Sequence, residues 1–160
     1  MGRVAGFKYI VLVLVGTVTC LPSARAWAEA SPFVGRWHYN KALSTLRPGE
    51  ASASNLVAEI SRVDSTHLRW SVTTRDSQGK DDVESFDIPA NGEFYPISED
   101  AAASFRVSGT TLQAMFKDQN GQSDAMTCTL SSNQAKMTCN GLITQVDGKT
   151  AKYVDVFDRT

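Results

Sequence analysis

The sequence predicts an all-β fold: an antiparallel up-and-down meander that closes into a barrel of about 8–10 strands, after an N-terminal export leader. Three observations carry the prediction. After residue 32 no window holds an apolar stripe of helical period. Short alternating runs recur instead, roughly every 8–12 positions, as in sandwiches and barrels. The segments between them are Asp76-Ser77-Gln78-Gly79-Lys80, Ser108-Gly109, Asn120-Gly121 and Asp147-Gly148. Their residues tolerate the positive φ of tight hairpin turns.

Residues 1–28 read as a secretory signal peptide. Arg3 and Lys8 give a positive start, and an apolar run follows from Tyr9 to Leu21 until Pro22 breaks it. Ala26-Trp27-Ala28 forms an A-x-A cleavage site, and so does Ala24-Arg25-Ala26, so cleavage falls after Ala28 or Ala26. The run is well short of the roughly 20 residues a spanning helix needs, so no stable span remains once the leader is gone. Thr17-Val18-Thr19 ahead of Cys20 lacks the residues of a lipoprotein signal. Export places the mature chain in the periplasm or outside the cell.

The 160 residues then leave one domain, 29–160. An apolar share of 42% against 21% charged excludes a disordered polymer. The leader holds Arg3, Lys8 and Arg25 and no acid, so the mature chain keeps 13 basic and 17 acidic residues, a net charge of −4. That is no footprint for nucleic acid.

Strands are expected near 34–39, 55–63, 66–75, 82–88, 102–107, 110–117, 122–130, 135–145 and 150–158. Closing the hairpin over 76–80 sets Arg75 opposite Asp81, Trp70 opposite Phe86 and Leu68 opposite Ile88. Arg69, Ser71 and Thr73 then point the other way, as a half-buried strand requires. Closing the next over Ser108-Gly109 sets Phe105 opposite Leu112 and Ala103 opposite Ala114. A loop at Asn133-Gln134 sets Leu130 opposite Met137 and Cys128 opposite Cys139. Opposed cysteines in a non-hydrogen-bonded pair lie about 4.5 Å apart at Cα and can be bridged. A cross-strand disulfide is therefore expected in an oxidising compartment, while odd Cys20 leaves with the leader. In the last two strands, Gly141 ahead of the consecutive Leu142 and Ile143 suggests a bulge. Tyr153, Asp155 and Phe157 share one face, Val154 and Val156 the other. A closed barrel removes the exposed edge such a meander would leave.

The domain opens with Gly35-x-Trp37-x-x-Asn40-x-x-x-Ser44 and then Pro48-Gly49. Asn91-Gly92-Glu93-Phe94-Tyr95-Pro96 follows at mid-chain, then Ser131-Ser132-Asn133-Gln134-Ala135, and Val156-Phe157-Asp158-Arg159 near the end. In order and spacing these pieces resemble a group of small exported bacterial proteins of lipocalin-like, calycin-type fold. Asn stands at 91 and 133 where that group tends to carry Asp. The resemblance spans most of residues 33–160. It implies a barrel with an apolar cavity and carries over no catalytic residue. It also implies structural roles for Gly35, Trp37 and Arg159, with Trp37 closing one end of the barrel beneath Arg159 in a cation–π contact.

Chemistry-bearing motifs are few. There are two histidines, His38 and His67, and no acids cluster near either, so neither a metal site nor a cofactor is expected. No nucleophile elbow, Walker loop or dinucleotide fingerprint appears. An enzyme would need Glu84 or Asp155 buried as a proton carrier. Glu84 falls on the Trp70–Phe86 face, either as a rim residue or as the polar anchor of a pocket. The leading expectation is a binder or carrier of a small, lipid-like apolar ligand in the barrel. Its lining candidates are Leu68, Trp70, Glu84, Phe86, Ile88, Tyr95, Phe105, Leu112 and Phe116. The alternative is a non-enzymatic interaction module with a filled barrel, acting through the long loops 41–54 and 89–101. The sequence names no protein partner.

Overall fold

The computed structural model describes residues 30–45, 55–64, 66–76 and 78–160. The expected leader, both cleavage positions, Pro48-Gly49 and the second half of loop 41–54 lie outside the described residues. Ten strands follow one another: β1 (Gly35–Tyr39), β2 (Asn55–Val63), β3 (Leu68–Arg75), β4 (Asp81–Ile88), β5 (Tyr95–Pro96), β6 (Ala101–Ser108), β7 (Thr111–Asp118), β8 (Ser123–Leu130), β9 (Lys136–Thr144) and β10 (Thr150–Arg159). Every neighbour pairs antiparallel in the order β4-β3-β2-β1-β10-β9-β8-β7-β6-β5. The β1–β10 pairing curls the meander round into a nearly closed all-β barrel. Only the seam between β4 and the β5–β6 pair lacks a backbone ladder among the described strands. No helix among the described residues is long and apolar enough to cross a membrane.

Period-2 alternation puts one side chain in two inside. Ile60, Leu68, Trp70, Ala103, Phe105, Leu112, Met126, Met137 and Phe157 form one buried cluster with Phe33 and Trp37. The register over 76–80 is the expected one, Arg75 with Asp81 and Trp70 with Phe86. The next hairpin departs from expectation. Phe105 faces Ala114 rather than Leu112, Ala103 faces Phe116 rather than Ala114, and Leu112 faces Val107. The loop residues are Gly109-Thr110, closed by Ser108 and Thr111, with Gly109 at φ 55 as the first central residue. Glycine fits that position because it carries no Cβ to clash at positive φ.

Gly141 is not a bulge. It pairs in register with both Tyr153 and Met126. The irregularity lies in β2, between Ile60 and Arg62. A β-carbon at 141 would overlap the Tyr153 ring, which crosses the glycine directly.

Cys128 pairs with Cys139 and the two form a disulfide, Cα to Cα 3.9 Å, 11 residues apart in sequence. Denatured without reductant, the protein is expected to leave no thiol for alkylation at these positions. Reduction is expected to remove about 3 kcal/mol at most, the loop-entropy value for so short a ring. A chemical melt with and without reductant measures it.

Outward-facing Val156 is nonetheless buried, because residues 40–45 run beside β10 beyond the end of β1. The Asn40 amide donates to Val156 O at 2.7 Å and the Thr45 amide to Val154 O at 2.8 Å. The Val156 amide in turn donates to Ser44 Oγ at 2.8 Å, and the Val154 amide to Thr45 Oγ1 at 2.6 Å. This strap satisfies an edge that would otherwise be open to water.

Candidate ligand site in the barrel interior

One end of the barrel is plugged. Trp37 and Phe33 are fully buried, and Trp37 Nε1 donates to Phe33 O at 3.0 Å. The Arg159 guanidinium lies 4.1 Å from the centroid of the Trp37 ring. It is fixed there by donating to the carbonyls of Val34, at 2.9 Å, and Pro32, and through Nε to that of Gln134, at 2.8 Å. Gly35 makes this possible, since a β-carbon there would stand 2.6 Å from Arg159 Nη1 and its φ is 148°. The Gly-x-Trp pair is thus a space-and-lid device, with glycine admitting the arginine that covers the tryptophan.

Toward the opposite end the inward-facing side chains become more exposed. Inward-facing Leu68, Ile88, Leu112, Leu130 and Met137, near the plug, are buried. Farther along the same strands, Val72, Phe116 and Asp124 are half-buried, while Asp82 and Glu84 are exposed. Between these ends lies an aromatic group that spans the seam. Trp70 of β3 and Phe86 of β4 meet Phe105 of β6 at centroid distances of 5.8 and 6.2 Å. Phe116 of β7 lies 5.7 Å from both Phe86 and Phe105. Such tilted and edge-on contacts contribute about 0.5–1.5 kcal/mol each beyond burial. The seam is therefore held by rings rather than by a ladder.

Of the nine lining candidates, the structure gathers eight into or against the core: Leu68, Trp70, Phe86, Ile88, Tyr95, Phe105, Leu112 and Phe116. Glu84 stands apart. It does oppose Val72, as its register demands, but β4 has no neighbour on its far side, so the carboxylate is solvated at the rim. Two ion pairs clamp this end strand onto β3: Arg75 donates to both carboxylate oxygens of Asp81 at 2.6 and 2.8 Å, and Arg69 donates Nε and Nη2 to the single oxygen Oδ2 of Asp87 at 3.0 and 2.5 Å. The guanidinium hydrogen bonds hold both carboxyls below the usual aspartate range. A shallow groove of about 230 Å³ lies along these strands, against Trp70 and Phe86 as well as Ser61, Arg69, Ser71, Ser85 and Asp87.

Polar chemistry inside the barrel centres on β10. Tyr153 is 2% exposed and its hydroxyl lies 2.8 Å from each carboxylate oxygen of Asp124. Asp155 is buried on the same face, beside Cys139. The sequence shows Tyr153 and Asp155 on one face. It misses Asp124 as the tyrosine's partner, because the register sets Tyr153 level with Gly141 and Met126, and Asp124 lies two residues further along β8 on the same face. No group of three or more His, Cys, Asp or Glu side chains suited to a metal occurs among the described residues.

The loop over 89–101 is pinned rather than free. The Gly92 amide donates to Phe105 O at 2.8 Å, and Asn91 Nδ2 donates to Tyr95 Oη at 2.9 Å. Phe94 is 38% exposed, with Lys117 Nζ 3.9 Å above its ring.

Comparison with solved structures places this architecture. Wild-type fluorescent protein UnaG is 15% identical, with 80% of this chain aligned to 97% of that one at a TM-score of 0.57. Apo lipid binding protein 8 of Caenorhabditis elegans is also 15% identical, over 83% of this chain and 100% of that one, at 0.55. A fatty acid-binding protein from Drosophila melanogaster brain tissue is 14% identical, over 79% and 98%, at 0.50. The fold is a calycin-type barrel. At such identity the likeness shows the fold alone. No family model and no curated protein matches the sequence.

Proposed function

We propose that the protein is an exported, non-enzymatic carrier of a small apolar ligand held in the barrel. The observation that carries this reading is the Trp70–Phe86–Phe105–Phe116 group, which faces across a seam with no backbone ladder. Rings can part there without breaking main-chain hydrogen bonds, each of which is expensive to leave unmade. The accessible positions around Phe116 and Glu84 offer a route to that group, while the Trp37 plug closes the far end. Solved neighbours described as a lipid binding protein, a fatty acid transporter and a fatty acid-binding protein support a ligand of apolar class.

Export is part of the proposal and rests on the leader and its cleavage sites. Protein recovered from a bacterial periplasm should begin at Glu29, or at Trp27 if the earlier site is used. Retention of Met1 in the recovered protein refutes export through cleavage. For the carrier reading, titration with N-phenyl-1-naphthylamine, a neutral environment-sensitive dye, should give a saturable, one-to-one rise in fluorescence. Phe116→Ala, at a half-buried position, should weaken that binding severalfold with little change in fold. Non-saturable binding that ignores Phe116 contradicts the site.

A further inference from the structure

The two tryptophans of the barrel interior differ in one respect. Trp37 Nε1 donates to the Phe33 carbonyl. Trp70 is 5% exposed, yet its Nε1–H has no hydrogen-bond partner among the described residues. Buried donors in native proteins are nearly always paired, so an unmade one asks for an explanation. The flanking rings of Phe86 and Phe105 offer at most a weak π acceptor. A lone water is a poor answer, because a buried water needs two to four polar partners and this surrounding is apolar.

We propose that Trp70 Nε1–H is the polar hook of the ligand site, and that the ligand is a neutral, ring-bearing molecule presenting a carbonyl oxygen to it. The proposal rests on the carrier reading and names the chemistry of its ligand. Four aromatic side chains in edge-on and tilted contact favour a flat ring that can slot between them. The indole is a donor only, so it selects an acceptor. Charge decides between a neutral carbonyl and a carboxylate. Asp82 and Glu84 project on the Phe86 face of β4, at the accessible rim of the same seam. Two carboxylates there repel an incoming anion and leave a neutral ketone or ester undisturbed.

The test uses a matched pair of probes, 9-fluorenone and fluorene, which share a ring system and differ in the carbonyl. Purified protein should bind fluorenone about five- to thirtyfold more tightly than fluorene, the ratio one hydrogen bond to a buried donor gives. Trp70→Phe keeps a ring and removes the donor. It should erase that ratio while leaving fluorene affinity within about twofold. Because the variant can fail to fold, the wild-type indole resonance gives a second reading. The Trp70 Nε1–H signal should move downfield with fluorenone by a hydrogen-bond shift that fluorene, acting through its ring current alone, does not give. Equal affinities for the two probes, with the same indole shift from each, overturn the hook and leave the carrier reading intact. Failure of both probes to bind overturns the hook and the carrier reading together.

Discussion

Trp37→Ala is expected to destabilise the protein by about 3–5 kcal/mol, the range for emptying a fully buried tryptophan site. The loss has three physical parts. A large apolar ring leaves a cavity at the plugged end. The Phe33 carbonyl loses its donor. The Arg159 guanidinium loses the ring beneath it while its hydrogen bonds to main-chain carbonyls remain. A urea melt followed by circular dichroism reads the change directly. A midpoint that barely moves contradicts the plug.

Gly141→Ala is the second large effect, expected at about 3 kcal/mol, the upper end for forced overpacking. A methyl at 141 has no room, because the Tyr153 ring occupies its place. The ring must swing away, and its hydroxyl then leaves Asp124. The cause can be isolated with a double-mutant cycle. In a Tyr153→Ala background the same Gly141→Ala change should cost less than about 1 kcal/mol, since the obstacle has gone. Equal costs in both backgrounds would assign the glycine a backbone role instead.

Local pairing was readable where a turn and an apolar pattern agreed. The hairpin of β3 and β4 follows from Asp76 to Lys80, and its register brings Arg75 to Asp81 as charge demands. The cysteine pairing follows in the same way. The Phe105 register escaped for a definite reason. Moving a strand by two residues keeps every side chain on its own face, so alternation is blind to that shift. Only the turn could decide it, and Ser108-Gly109 and Gly109-Thr110 both supply a glycine.

The two remaining features are long-range. Gly141 answers to a ring twelve residues further along the chain, and neighbouring Leu142 and Ile143 gave a plausible local signal for a bulge that is absent. The seam depends on which two strands meet last. Pro89 directly after β4 has no N–H to extend a ladder, and the following Asn91-Gly92 turn is tied to β6 instead. The strand pattern predicts the barrel, whereas the seam depends on the path of that connection. The aromatic group of the core was legible residue by residue. Its arrangement across an unladdered gap, and the unpartnered Trp70 donor within it, were not, because neither is a property of a single strand.

The central claim is that the barrel holds a small apolar ligand at this seam. Its most direct test is native mass spectrometry of protein exported to a bacterial periplasm and purified gently, followed by solvent extraction. The account predicts a stoichiometric apolar adduct, released by solvent and readmitted as an apolar compound is added back. A clean apo mass that no added apolar compound shifts would contradict it.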